Sequence, residues 1–252
     1  VVNHFPPLLF VTLQPAFSLS LTQITLLVTV NFITQLFTDL LSAKHVDRMG
    51  YRVSVVAAHV LCCVGLVGVG LLPRLLPSAY LGLLLSVVIY AVGGGLIEVL
   101  ISPIVEGCPS ENKSAAMSLL HSFYCWGCVA VILLTTAAFT LFGRDCWPYV
   151  ACCWALLPAV NAVAFTRVPI RRTVEREEQL PLGSLLKNGL FWFLALFGDL
   201  GCSAGPTVVG FVSGAAGDNL KAGLLVATVF PLVILLGVTG LRHGARRNLS
   251  SC

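Results

Sequence analysis

The sequence predicts an all-α integral membrane protein of about eight transmembrane helices, and three observations lead there. Only 10% of the residues are charged while 57% are apolar, against the roughly 25% charged residues of a soluble domain. The apolar residues gather into runs close to the ~20 residues that a helix needs to cross a bilayer. The basic residues fall in the gaps between those runs, unequally on the two sides, which is a topology signal. With so little polar surface, the bilayer is the solvent that fits.

The elements follow in chain order. Val1–Leu13 is a shorter run, broken by Pro6-Pro7, and reads as the tail of a first span. The chain opens at Val1 within that run and without Met, so a preceding segment is expected. Spans are expected over Leu21–Leu41, Val53–Leu72, Ala79–Val105, Ala115–Phe142 and Trp147–Phe165, then Leu190–Val212 and Ala222–Leu241. The breaks are polar and carry Pro or Gly, as at Pro73-Arg74, Pro109-Ser110, Gly143-Arg144 and Gly217-Asp218. Residues 1–166 are therefore expected to form an N-terminal six-helix bundle whose first helix is truncated. Residues 167–188 form a charged cytoplasmic linker, and 189–252 are a C-terminal remnant of two helices and a basic tail.

Orientation comes from the 15 Lys and Arg residues. Lys44, Arg48, Arg52, Lys113, Arg167, Arg171, Arg172, Arg176, Lys187, Arg242, Arg246 and Arg247 fall on one side of this threading, and only Arg74, Arg144 and Lys221 on the other. The richer side is assigned to the cytoplasm, which puts the C-terminus there and the protein in the plasma (inner) membrane.

Composition also sets aside several classes. The net charge of +4 is not gathered into one patch, so nucleic acid is not an expected partner. The ten cysteines lie mostly inside apolar runs, and no C-x-x-C pair has ligands spaced downstream, so neither a zinc site nor a disulfide framework is expected. No cofactor or metal is expected.

Polar residues within the spans are costly and mark candidate sites. Asn31, Gln35 and Asp39 recur every four residues and share one face of the second span. That face fits a hydrogen-bonded helix–helix seam as well as it fits the lining of a pathway. Glu98 lies mid-span after Gly93-Gly94-Gly95, and Pro103 leaves the Val99 carbonyl without its helical donor. A carboxyl group held in low dielectric can exchange a proton near neutrality, so Glu98 is read as a proton-coupling residue. His121, Tyr124 and Trp126 mix aromatic and polar character in the way a sugar site does, although an interfacial aromatic belt would also explain the two aromatics. Asp199 opens a stretch with Gly201, Gly205, Gly210 and Gly214, and reads either as a second titrating group or as a packing residue.

These residues carry a family resemblance. Asp47-Arg48-Met49-Gly50-Tyr51-Arg52 resembles the D-R-x-G-x-R core of the loop motif of major facilitator transporters. Phe17-Ser18-Leu19-Ser20-Leu21-Thr22-Gln23, Gly95-Leu96-Ile97-Glu98 with Ser102-Pro103, His121 through Gly127, and Gly210 through Gly217 are similar to segments of its fucose-permease-like branch. The resemblance implies a major-facilitator helix bundle that moves sugar-like solutes with protons by alternating access. It implies Glu98 as the coupling glutamate and His121 as a substrate contact; Asn31, Gln35, Tyr124 and Trp126 are expected around the substrate from their own chemistry. Asp47, Arg48 and Arg52 would form a conformational latch. The chain departs from the branch in having Ser102 for Asn, His121 for Gln and no aspartate in its first helix.

Members of that family have twelve helices in two six-helix halves, whereas here six precede the linker and two follow it. The segment opening Leu190-Phe191-Trp192 resembles a seventh helix that runs into an eleventh, so an internal deletion is expected near Phe193–Phe197. Eight helices are expected to insert without completing two opposed bundles, and association of two copies would cover the exposed face. A non-transporting membrane remnant is the competing reading. An intramembrane protease is set aside, because Gly210-Phe211-Val212-Ser213-Gly214 is one residue too long for G-x-S-G, and Leu196 replaces the first glycine of G-x-G-D.

Overall fold

The computed structural model describes residues 1–170, 182–185, 187, 208–209, 211–213, 215 and 220–227. Helix α1 spans Phe5–Ala16, α2 Leu21–Met49, α3 Tyr51–Leu75, α4 Ala79–Glu106 and α5 Lys113–Phe142. A single 3-10 turn at Arg144–Cys146 leads into α6, Trp147–Arg167. One helical turn at Leu182–Leu185 and a helical segment at Leu220–Ala227 follow. Helices α2 to α6 each contain a stretch long and apolar enough to cross a membrane. Most of the spans expected over Leu190–Val212 and Ala222–Leu241, and the Phe193–Phe197 join, lie outside the described residues.

Two expectations change. Pro6 and Pro7 do not break the first helix; they follow Phe5 as its second and third residues, inside the first turn. There their missing N–H groups would have had no helical partner, and their fixed φ suits the start of a helix. The second helix runs past its apolar stretch to Met49, so its connection to α3 is the single residue Gly50, at φ +88 and ψ 144. Only glycine takes that backbone conformation without strain. The glycine of the loop motif is thus a one-residue hinge between two long helices.

The start of α2 is set by a capping box. Ser20 Oγ accepts from the Gln23 backbone N–H at 3.2 Å, and Gln23 Oε1 accepts from the Ser20 N–H at 2.9 Å. These bonds use donors that a helix start leaves unpaired. Prolines 73, 103 and 158 stay inside α3, α4 and α6, as neighbouring helices permit in membrane proteins.

Packing is uneven around the bundle. Helix α4 lies between α2 and α3, and α3 also packs along α6. The triple glycine makes this possible: a Cβ at Gly93 would come within 2.6 Å of the Ala58 carbonyl of α3, and one at Gly94 within 2.7 Å of Gln35 Nε2 of α2. Small residues at such crossings let backbones approach closely. The main core joins Phe5, Leu9 and Leu13 of α1 to Leu66, Leu83, Tyr90 and Trp147. A smaller cluster of Val46, Val55, Leu100 and Ile104 closes the Gly50 end. Helix α5 stands apart, with Val131 and Thr135 as its buried residues. Thr135 Oγ1 accepts from Trp154 Nε1 of α6 at 2.9 Å, which ties the two helices together.

Candidate functional site

The site forms where α5 leans away from the packed helices. A cavity of about 550 Å³ opens there, bounded by the start of α1 and the middles of α3, α4, α5 and α6. Its volume lies in the range of small-molecule sites. Glu98 and Ser102 of α4 and His121 and Tyr124 of α5 line it. Glu98 is exposed towards this space, one turn before Pro103.

Four further polar residues join the wall: Asn3, His4, His59 and Asn161. His4 Nε2 is 3.1 Å from Tyr124 Oη, with the rings edge to face at 5.6 Å between centroids. This contact bridges α1 and α5. His59 Nδ1 lies 2.8 Å from the Val55 carbonyl, and its ring sits 5.1 Å from that of Phe165. Three imidazoles and a carboxylate thus surround one cavity.

The amide pair of α2 is placed differently. Asn31 and Gln35 are 5% and 3% exposed and stand behind the cavity wall. Both donate to Asn3 Oδ1, Gln35 Nε2 at 2.9 Å and Asn31 Nδ2 at 3.4 Å. Asn3 lines the main cavity and also a small one of about 40 Å³ that Asn31 borders. Asp39 continues the same polar face, its Oδ1 lying 3.0 Å from where a Gly95 Cβ would stand. Along α2 the polar face is therefore a seam against α1 and α4, and Asn3 is what connects it to the cavity. Trp126 is 72% exposed and outside the lining.

In the loop motif, Arg52 donates from Nη1 to the Thr166 carbonyl and from Nη2 to the Val168 carbonyl at 2.9 Å. It therefore caps the C-terminal end of α6, where a cation meets unpaired carbonyls and the negative end of the helix dipole. Arg48 is exposed in the last turn of α2. The Asp47 side chain and Asp199 lie outside the described residues.

Sequence reasoning did not single out Asn3, His4, His59 or Asn161. Asn3 and His4 precede Pro6-Pro7 in a run taken as a helix tail, although an amide beside an imidazole in an apolar run is itself a signal. His59 and Asn161 are single polar residues in long apolar helices, and nothing about their spacing marks the face they occupy. Among the described residues no group of three His, Cys, Asp or Glu side chains could hold a metal ion, and the described cysteines are free thiols.

Neither the curated proteins nor the solved structures searched contain a match to the chain. The family model of the Major Facilitator Superfamily matches residues 2–248, nearly the whole sequence. This match, together with the apolar spanning helices and the cavity between them, makes the chain a multi-pass membrane transporter that belongs to the Major Facilitator Superfamily.

Proposed function

We propose that this chain is the substrate-binding part of a proton-coupled permease for sugar-like solutes, of the fucose-permease-like branch. The observation that supports it best is one cavity bordered by Glu98, His121 and Tyr124 together with His4, His59 and the amides of Asn3 and Asn161. A neutral polyol needs donors and acceptors around an apolar wall, and this lining supplies both. Glu98 is the coupling carboxylate, with Asp199 as the second titrating group. His121 and Tyr124 meet the substrate, Trp126 lies outside the lining and is not assigned to it, and Asn31 and Gln35 act on the substrate through Asn3. Asp47, Arg48 and Arg52 latch the cytoplasmic side, Arg52 by holding the end of α6.

In this reading residues 1–166 are the N-terminal bundle, 167–188 the cytoplasmic linker and 189–252 what remains of the C-terminal bundle after an internal deletion. The protein resides in the plasma membrane with its C-terminus in the cytoplasm, and a second copy covers the face left open. A second reading, a membrane protein that no longer transports, is favoured by the exposure of Glu98 and α5. Alternating access requires one bundle to rock against another around a central site, and two helices after the linker cannot mirror six before it.

Reconstitution of the purified chain in liposomes, with an imposed pH gradient and a panel of labelled sugars, separates the two. Saturable uptake above empty liposomes supports the permease. Correctly inserted, folded protein that takes up none of the sugars supports the second reading.

A further inference from the structure

A second cleft, of about 400 Å³, lies between α1 and α5 at the end of the bundle opposite Gly50. Leu8 and Phe139 form apolar wall, while Thr12, Thr135, Thr136 and Thr140 supply hydroxyls. Arg144 stands at its edge. Gly143, at φ +82, ends α5 and turns the chain into the 3-10 turn that holds Arg144 there. The neighbouring Asp145 is not part of the lining. Arg74, at the same end, is engaged elsewhere, its guanidinium carbon lying 5.4 Å from the centre of the Trp147 ring.

Two of the four threonines are held by hydrogen bonds of their hydroxyls. Thr135 Oγ1 accepts from Trp154 Nε1 at 2.9 Å, and Thr140 Oγ1 donates to the Thr136 carbonyl at 2.8 Å. The cleft sits where one candidate span, Lys113–Phe142, ends and the next, Arg144–Arg167, begins, and the ends of spanning helices meet the headgroup region of a bilayer. Hydrocarbon alone would leave the Arg144 guanidinium unsolvated there, and water alone would wet Leu8 and Phe139. The occupant that suits both is amphipathic and carries an anion.

The geometry points to a binding site for one anionic phospholipid, with its phosphodiester on Arg144, its glycerol esters near Thr136 and Thr140, and an acyl chain along Phe139 and Leu8. Arginine meets phosphate oxygens with paired N–H donors, and a single cation near an anionic headgroup gives a modest preference over a zwitterionic one. This site is independent of the transport reading.

The test uses the full chain, purified and delipidated in detergent, with native mass spectrometry after addition of phosphatidylglycerol or phosphatidylcholine. The chain should retain one phosphatidylglycerol in preference to phosphatidylcholine. Arg144→Gln should lower that retention about fivefold, while Arg74→Gln leaves it unchanged. Thr136→Val, which keeps the charge, should lower it by a smaller factor. Undiminished retention by Arg144→Gln, or equal retention of the two lipids, would overturn the site. Displacement of the lipid by excess inorganic phosphate would assign the cleft to a free anion and overturn the lipid assignment.

Discussion

Helices α3 and α5 are of similar length and apolarity, yet the bundle treats them in opposite ways. In α3 half of the most apolar 18-residue window is buried against neighbours, in α5 only 11%. Side chains as large as Phe123, Trp126 and Leu133 of α5 stand more than 60% exposed. In a membrane protein apolarity does not drive helices together, because lipid is as apolar as leucine. What separates the two is the small residues: Gly65 and Gly68 of α3 and Gly93 to Gly95 of α4 meet neighbouring helices, whereas a Cβ added at Gly127 of α5 would meet nothing within 4 Å. The tight side fixes positions, and the open side leaves the room in which the polar residues gather.

Matched glycine substitutions should break that contrast most sharply. Gly93→Ala drives a methyl group to within 2.6 Å of the Ala58 carbonyl and 2.8 Å of the Cys62 backbone nitrogen. Thermal unfolding in detergent should register a loss of about 3 kcal/mol. On the open side Gly127→Ala should be neutral or slightly stabilising, by at most ~1 kcal/mol, since alanine favours a helix interior over glycine. Equal effects at both positions would mean that small residues do not set the packing.

A smaller effect is expected at the hinge. Gly50→Ala meets no neighbour within 4 Å but must adopt φ +88, at a cost of about 2 kcal/mol. Cysteine accessibility at the ends of α2 and α3 should rise as the single-residue turn loosens. A stable, unchanged protein would show that the motif glycine is not needed for the turn.

The division between legible and hidden features follows the same physics. Hydropathy and polar breaks locate α3 to α6 and the start of α2 within a few residues, because a spanning helix must be apolar along its length. Glu98 was legible because an ionisable group at mid-span is rare. The end of α2 was not, because Lys44 to Met49 continue the helix without being apolar. Asn3 was hidden for a different reason: its role depends on Asn31 and Gln35, 28 and 32 residues away, both donating to it. A repeat of four along α2 reveals a polar face but not what that face meets. For this reason the contact with Asn3 could not be read from that repeat.

The most direct measurement of the central claim, that Glu98 in the cavity couples protons to a solute, compares accumulation with exchange in Glu98→Gln. In liposomes carrying the purified chain, an imposed pH gradient should drive accumulation through the native carboxylate and none through the glutamine. Exchange of labelled for unlabelled substrate without a gradient should persist in the variant, because glutamine keeps hydrogen bonding and shape while losing the proton. Undiminished proton-driven accumulation by Glu98→Gln would contradict the assignment.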